Sequence, residues 1–147
     1  MLIEKGKISQ EPFIEILKTL EEAESANLID WNAMNIASVD QMNQPSSRMV
    51  LLKKISDDGL VFYTNYNSRK GKEIELNPKV AVNFWWRELK KQIRIEGSIE
   101  KASEEDSDNY FNSRPLKSRV SAIISNQSSK ISSYEDLTNQ IDNYLKH

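Results

Sequence analysis

The feature that most narrows what this chain can fold into is a junction in its middle. Residues 47–55 (SRMVLLKKI) are apolar and β-branched enough for a largely buried strand, residues 60–65 (LVFYTN) form a second strand-like run, and Asp57-Asp58-Gly59 lies between them. Two such runs joined by Asp-Gly predict a β-hairpin, because glycine supplies the backbone angles that a tight turn demands. The two-residue period recurs on either side. Met34, Ile36 and Ser38 alternate with Asn35, Ala37 and Val39, and residues 79–86 (KVAVNFWW) and 91–101 (KQIRIEGSIEK) are the clearest strands of all.

Helical spacing brackets these strands. Phe13, Ile16, Leu17 and Leu20 lie one and two turns apart and predict a helix over 10–27. Ser68 is placed to cap a short helix through RKGKEIEL that Asn77-Pro78 stops. A helix through Tyr110 and Phe111, another within 116–124 and a last one from about Ser133, with Leu137, Ile141, Tyr144 and Leu145 on one face, complete the pattern. The predicted class is mainly β with flanking helices (α+β), an antiparallel β-barrel with helices packed outside, in a single domain over residues 1–147.

Composition removes several kinds of chemistry. There is no Cys, and the one His is His147, so thiolate metal sites, histidine metal clusters and a Ser-His-Asp triad are not expected. No stretch approaches the roughly 18 apolar residues of a membrane span, and the N-terminus has no apolar signal core, so the expectation is a cytoplasmic protein without membrane attachment. A net charge of −2 argues against a dedicated nucleic-acid binder. Cations nonetheless cluster centrally, at Arg48, Lys53, Lys54, Arg69, Lys70 and Lys72.

That clustering points to anions. An unpaired Arg48 on a buried strand would be costly, and a bound phosphate would relieve the cost through the planar fork of guanidinium donors. Ser68-Arg69-Lys70 stands at a helix start, where free N–H groups and the helix dipole favour anions. Tyr110, Arg114 and Ser118, spaced by four, form a second set able to grip a small phosphate ester. Each feature also has an ordinary structural explanation: an ion pair, a helix cap, a solvated helix face. The Phe84-Trp85-Trp86 run reads as core and interface.

SRMVLLK (47–53), GLVFYTNYNSRKGKEIELNP (59–78), KQIRIEG (91–97) and YFNSRPLKSRVSAIISNQSS (110–129), in this order and spacing, resemble the pyridoxamine 5′-phosphate oxidase family. The resemblance covers nearly the whole chain from about Glu11. It implies an FMN-binding split β-barrel and a homodimer with flavin mononucleotide (FMN) in the cleft between subunits. Matched residue by residue, it implies that Arg48, Met49, Val50, Leu51, Leu52 and Lys53 line the flavin, with Arg48 on its phosphate. Tyr63 and Thr64 follow, Arg69 and Lys70 complete the phosphate grip, Gln92 reaches the isoalloxazine ring, and Gln127 with Ser128 contact FMN. Lys53, Tyr110, Arg114 and Ser118 would hold the substrate phosphate.

The activity implied is oxidation of pyridoxine or pyridoxamine 5′-phosphate to pyridoxal 5′-phosphate, hydride passing from C4′ to flavin N5 and dioxygen reoxidising the flavin. No residue need be an indispensable acid or base, and none is named as catalytic. The family pattern continues beyond the final helix with a Trp and an Arg directed to FMN and an Arg-Leu-His stretch directed to substrate. This sequence ends at Tyr144-Leu145-Lys146-His147, and Ser121 and Ile123 stand where the family often has Gly and Trp. Two readings follow: an FMN-dependent oxidase of a B6 phosphate, or a protein that binds FMN or a B6 phosphate with weak or no turnover.

Overall fold

The computed structural model describes residues 3–124 and 133–145. Strand β1 (Glu4–Lys5) leads into helix α1 (Glu11–Ser25), followed by β2 (Ala33–Val39), β3 (Pro45–Leu51), β4 (Lys54–Ser56) and β5 (Gly59–Val61). Helix α2 (Arg69–Leu76), strands β6 (Lys79–Trp86) and β7 (Lys91–Ser98), and helices α3 (Glu104–Ser113), α4 (Leu116–Ile124) and α5 (Tyr134–Leu145) follow. A four-stranded sheet has the order β3-β2-β6-β7, antiparallel throughout, and a three-stranded sheet has the order β1-β4-β5. Among the described residues only the short β1–β4 pairing is parallel.

The register of the larger sheet assigns its two faces. Arg48 pairs with Ile36, Ile36 with Val82, and Val82 with Ile95, so these side chains share the inner face. Met34, Ile36, Phe84 and Trp86 are buried on that face. With Ile16, Leu20 and Ala23 of α1, and Leu52 and Ile55 at the second sheet, Met34, Phe84 and Trp86 form the core. Trp86 Nε1 donates to the Trp31 carbonyl at 2.7 Å, which satisfies its polar edge inside that core. Asp57, in the hairpin turn, accepts from the Ser9 and Gln10 amides at 2.9 and 3.0 Å and so caps the start of α1.

The hairpin forms where Asp57-Asp58-Gly59 predicts it, with Ser56 opposite Gly59 and Gly59 at φ 140. Two expectations need correction. Residues 47–55 are not one buried strand: β3 is a sheet edge with Met49 62% and Leu51 41% exposed, and the chain breaks at Leu52-Lys53 before entering the other sheet as β4. The run 60–65 keeps ladder pairing only as far as Val61. Of the apolar face expected on α5, Ile141 is buried whereas Tyr144 is 54% exposed. Among the described residues no helix is long and apolar enough to cross a membrane, and no group of His, Cys, Asp and Glu is placed to hold a metal ion.

Candidate functional site

Helix α2 starts as its sequence dictates. Ser68 is fully buried and its hydroxyl accepts from the Gly71 amide. A Cβ on Gly71 would lie 2.2 Å from the Tyr66 carbonyl oxygen, so only glycine lets this first turn pack so closely. That packing brings Glu73 against β2 and β3, with Arg69 bonded to it and Lys70 near Arg48. Glu73, 4% exposed, accepts at Oε2 from Ser38 Oγ at 2.5 Å, Ser46 Oγ at 2.8 Å and Arg48 Nη2 at 3.0 Å. Its Oε1 accepts from Arg69 Nε at 2.7 Å. Burial alone would raise this carboxyl, but the bonds from Ser38, Ser46, Arg69 and Arg48 outweigh it and hold the group at about 2. Lys70 is 7% exposed, and burial, then the nearby Arg48, push it below the usual lysine range.

The charge expected to be unpaired on β3 is therefore paired within the chain. Arg48 Nη1 donates to Ser38 Oγ at 2.6 Å and to the Ile36 carbonyl at 3.4 Å, and Nη2 donates to Ser46 Oγ at 2.5 Å as well as to Glu73. The group as a whole still favours anions. Arg48 and Arg69 both pair with the Glu73 carboxylate and Lys70 lies near Arg48, so three cations share the neighbourhood of one anion, a surplus of two positive charges when all are ionised.

A second group forms where α3 meets the segment after β5. Tyr63 and Tyr110 stack with ring centroids 3.9 Å apart and planes 7° from parallel. Lys53 Nζ lies 5.9 Å from the Tyr110 centroid and the Arg114 guanidinium carbon 6.0 Å from it, within reach of a cation–π interaction. Burial, then Arg114, lower Lys53 below the usual lysine range. Lys53, far away in sequence, thus joins Tyr110 and Arg114 in one place. Arg114 follows the last residue of α3, and its amide donates to the Phe111 carbonyl. Ser118 stands in the first turn of α4, part-buried, with its amide on the Pro115 carbonyl. Thr64 is part-buried beyond β5.

The remaining sequence-derived residues separate by face. Val50 follows Arg48 on the inner side, and Leu52 is fully buried in the core. Met49 and Leu51 project from the opposite face. Gln92 pairs with Trp85 and donates through Nε2 to Asn83 Oδ1 at 2.8 Å, and Asn83 pairs in turn with Asn35, Met49's partner on β3. Gln92 therefore shares the outer face with Met49 and with Trp85, which is 57% exposed, on the opposite side of the sheet from Arg48. Gln127 and Ser128 lie outside the described residues, as does the side chain of Ile123.

Sequence reading missed Glu73, Ser38 and Ser46. The available signal was phase. Ser38 continues the buried positions Met34 and Ile36, and Ser46 shares the phase of Arg48, so both hydroxyls were due partners on the inner face.

Comparison with known proteins identifies the family and the fold. The family model for pyridoxamine 5′-phosphate oxidase matches residues 20–142. A pyridoxine/pyridoxamine 5′-phosphate oxidase from a Nostoc species is 49% identical over 138 residues, covering 94% of this chain and 64% of that protein. One from Burkholderia thailandensis is 47% identical over 131 residues, covering 89% and 61%. The chain thus spans a little under two thirds of these relatives' length. Among solved structures, PhzG from Burkholderia lata in complex with tetrahydrophenazine-1-carboxylic acid superposes with a TM-score of 0.88 at 26% identity, covering 94% of this chain and 68% of that one. An FMN-binding protein from Nostoc punctiforme related to pyridoxamine 5′-phosphate oxidase gives 0.72 at 18% identity, covering 92% and 73%. The fold is the antiparallel split β-barrel with flanking helices that these structures share.

Proposed function

Because the chain belongs to the pyridoxamine 5′-phosphate oxidase family, we propose that it is an FMN-dependent oxidoreductase that converts pyridoxine or pyridoxamine 5′-phosphate to pyridoxal 5′-phosphate. The observation that carries this reading is that the fold assembles two separate cationic groups, as a reaction between two phosphate esters requires. Each includes a lysine pushed below its usual range by burial and by a neighbouring arginine. Bringing like charges together is unfavourable, and an anion between them reverses the penalty.

The first group fits FMN. A phosphate monoester carries about −1.5 to −2 charge at neutral pH, close to the surplus at Arg48, Arg69, Lys70 and Glu73. Arg69 and Lys70 open α2, so its dipole adds to their field. The second group fits the substrate phosphate: Lys53 and Arg114 supply charge, Tyr110 a hydroxyl, and Ser118 another from α4. Bound FMN would supply the two-electron acceptor; this chain's residues hold two phosphates, and so place two rings, without themselves gaining or losing electrons.

The reading includes a homodimer. Gln92 and Arg48 lie on opposite faces of one sheet, so a single chain does not gather the whole expected flavin set. The outer face also exposes Met49, Leu51 and Trp85, which a second copy would cover.

Oxygen uptake by the FMN-loaded protein with pyridoxine 5′-phosphate tests the activity, and formation of pyridoxal 5′-phosphate in step with uptake is expected. The likeness to PhzG, whose structure holds an aromatic carboxylic acid, supports one alternative. Lys53 and Arg114 would also accept a carboxylate, and turnover of an aromatic carboxylic acid by the FMN-loaded protein, with neither B6 phosphate turned over, would favour it.

A further inference from the structure

The phosphate site contains one group of the wrong sign. Glu73 is almost fully buried among the cations expected to receive FMN, and an anion there reduces the field that a phosphate would meet. Its contacts indicate what it does instead. It stands four residues after Arg69 on α2 and reaches across to β2 and β3 through Ser38 and Ser46. One oxygen takes Arg69 Nε, and the other takes Arg48 Nη2. A helix arginine and a strand arginine are thereby fixed relative to each other by a single carboxylate. Arg69 commits only Nε to Glu73, and its side chain remains 59% exposed.

We propose that Glu73 is a positioning residue for the flavin phosphate: it holds Arg48 and Arg69 in place before the ligand arrives, so that binding does not have to order two long side chains. This inference rests on the FMN reading above. Arginine side chains lose much rotamer freedom when immobilised, and the Glu73 cluster takes that loss during folding rather than on binding. A carboxylate suits the task better than a neutral amide because it binds both guanidiniums through charge-assisted bonds while its charge is still outnumbered.

The test is equilibrium titration of the full chain with FMN and with riboflavin, which has the same ring and no phosphate. Glu73→Gln should weaken FMN about 10-fold and leave riboflavin within about 2-fold. Arg69→Gln, which should weaken FMN about 10-fold in the otherwise natural chain, should weaken it less than about 3-fold when Glu73→Gln is already present. Unchanged FMN affinity in Glu73→Gln would overturn the proposal. So would tighter FMN binding, which would make Glu73 a competitor of the phosphate, or equal losses for FMN and riboflavin, which would make it a purely structural residue.

Should Glu73→Gln fail to unfold cooperatively, Ser46→Ala decides, since that hydroxyl touches both Arg48 and Glu73. An FMN-specific loss of about 3-fold is expected, and the absence of one contradicts the proposal. If the unsubstituted chain prefers FMN to riboflavin by nothing at all, the flavin-phosphate reading fails and this inference falls with it.

Discussion

At the start of α2, two arginines close on a buried carboxylate with a buried lysine near one of them, whereas beside α3 two cations flank the face of a tyrosine. The first group is tied to the barrel: Arg48 alone makes four hydrogen bonds to β2, β3 and α2. In the second, both cations lie at about cation–π range from Tyr110, itself stacked on Tyr63. The contrast separates two ways to prepare a cationic site. One builds its charge into the fold, so damage should cost stability as well as ligand; the other rests charge on rings, so damage should cost ligand alone.

Arg48→Ala should break the comparison open with the largest effect. It leaves Glu73 buried with one ion pair fewer, and the apoprotein should lose about 2–3 kcal/mol in denaturant unfolding. Arg114→Ala should stay within about 0.5 kcal/mol in the same measurement. If both variants were equally destabilised, the contrast would be false.

Arg114→Ala should instead act on ligand. Loss of one charge-assisted contact predicts pyridoxal 5′-phosphate binding about 10–100-fold weaker, with FMN affinity unchanged. Fluorescence titration with each ligand checks both halves of that statement, and a matching loss of FMN would merge the two groups into one site.

Acid sharpens the distinction further. Glu73 sits at about 2 when folded against an ordinary value of 4.5, so between those values the unfolded chain binds more protons. Its contribution is therefore complete above pH 4.5 and declines as pH falls toward about 2. Unfolding free energy measured across that window should fall less steeply in Glu73→Gln than in the natural chain. Parallel curves would remove Glu73 from the acid response.

Tyr110→Phe should have the smallest effect. The ring and its stacking on Tyr63 remain while one neutral hydroxyl is lost, so pyridoxal 5′-phosphate binding should weaken by only about 2–10-fold.

How far each group was legible in the sequence follows from the same contrast. The alternation of Met34, Ile36 and Ser38 gave β2 its buried face, and Ser68 announced α2, because period and capping are local signals. Arg48, Arg69, Lys70 and the Lys53, Tyr110 and Arg114 set stood out through chemistry and family spacing. The break at Leu52-Lys53 did not, because Ile55 resumes the apolar pattern directly after Lys53 and Lys54, and only pairing partners distinguish β3 from β4. The exposure of Met49 and Leu51 was hidden for a related reason, since an apolar edge reads the same whatever covers it. Glu73 was the hardest to see. A glutamate in a charged helix looks solvated, and its burial depends on two serines from strands far away in sequence.

On the proposed function, the fold grips flavin through its phosphate. Equilibrium titration of the apoprotein with FMN and riboflavin at moderate salt measures that grip directly. With at least two charge-assisted contacts to the phosphate, FMN should bind about 100-fold or more tightly than riboflavin, and the margin should shrink as salt rises. Equal affinities for the two flavins, or a preference indifferent to salt, would contradict it.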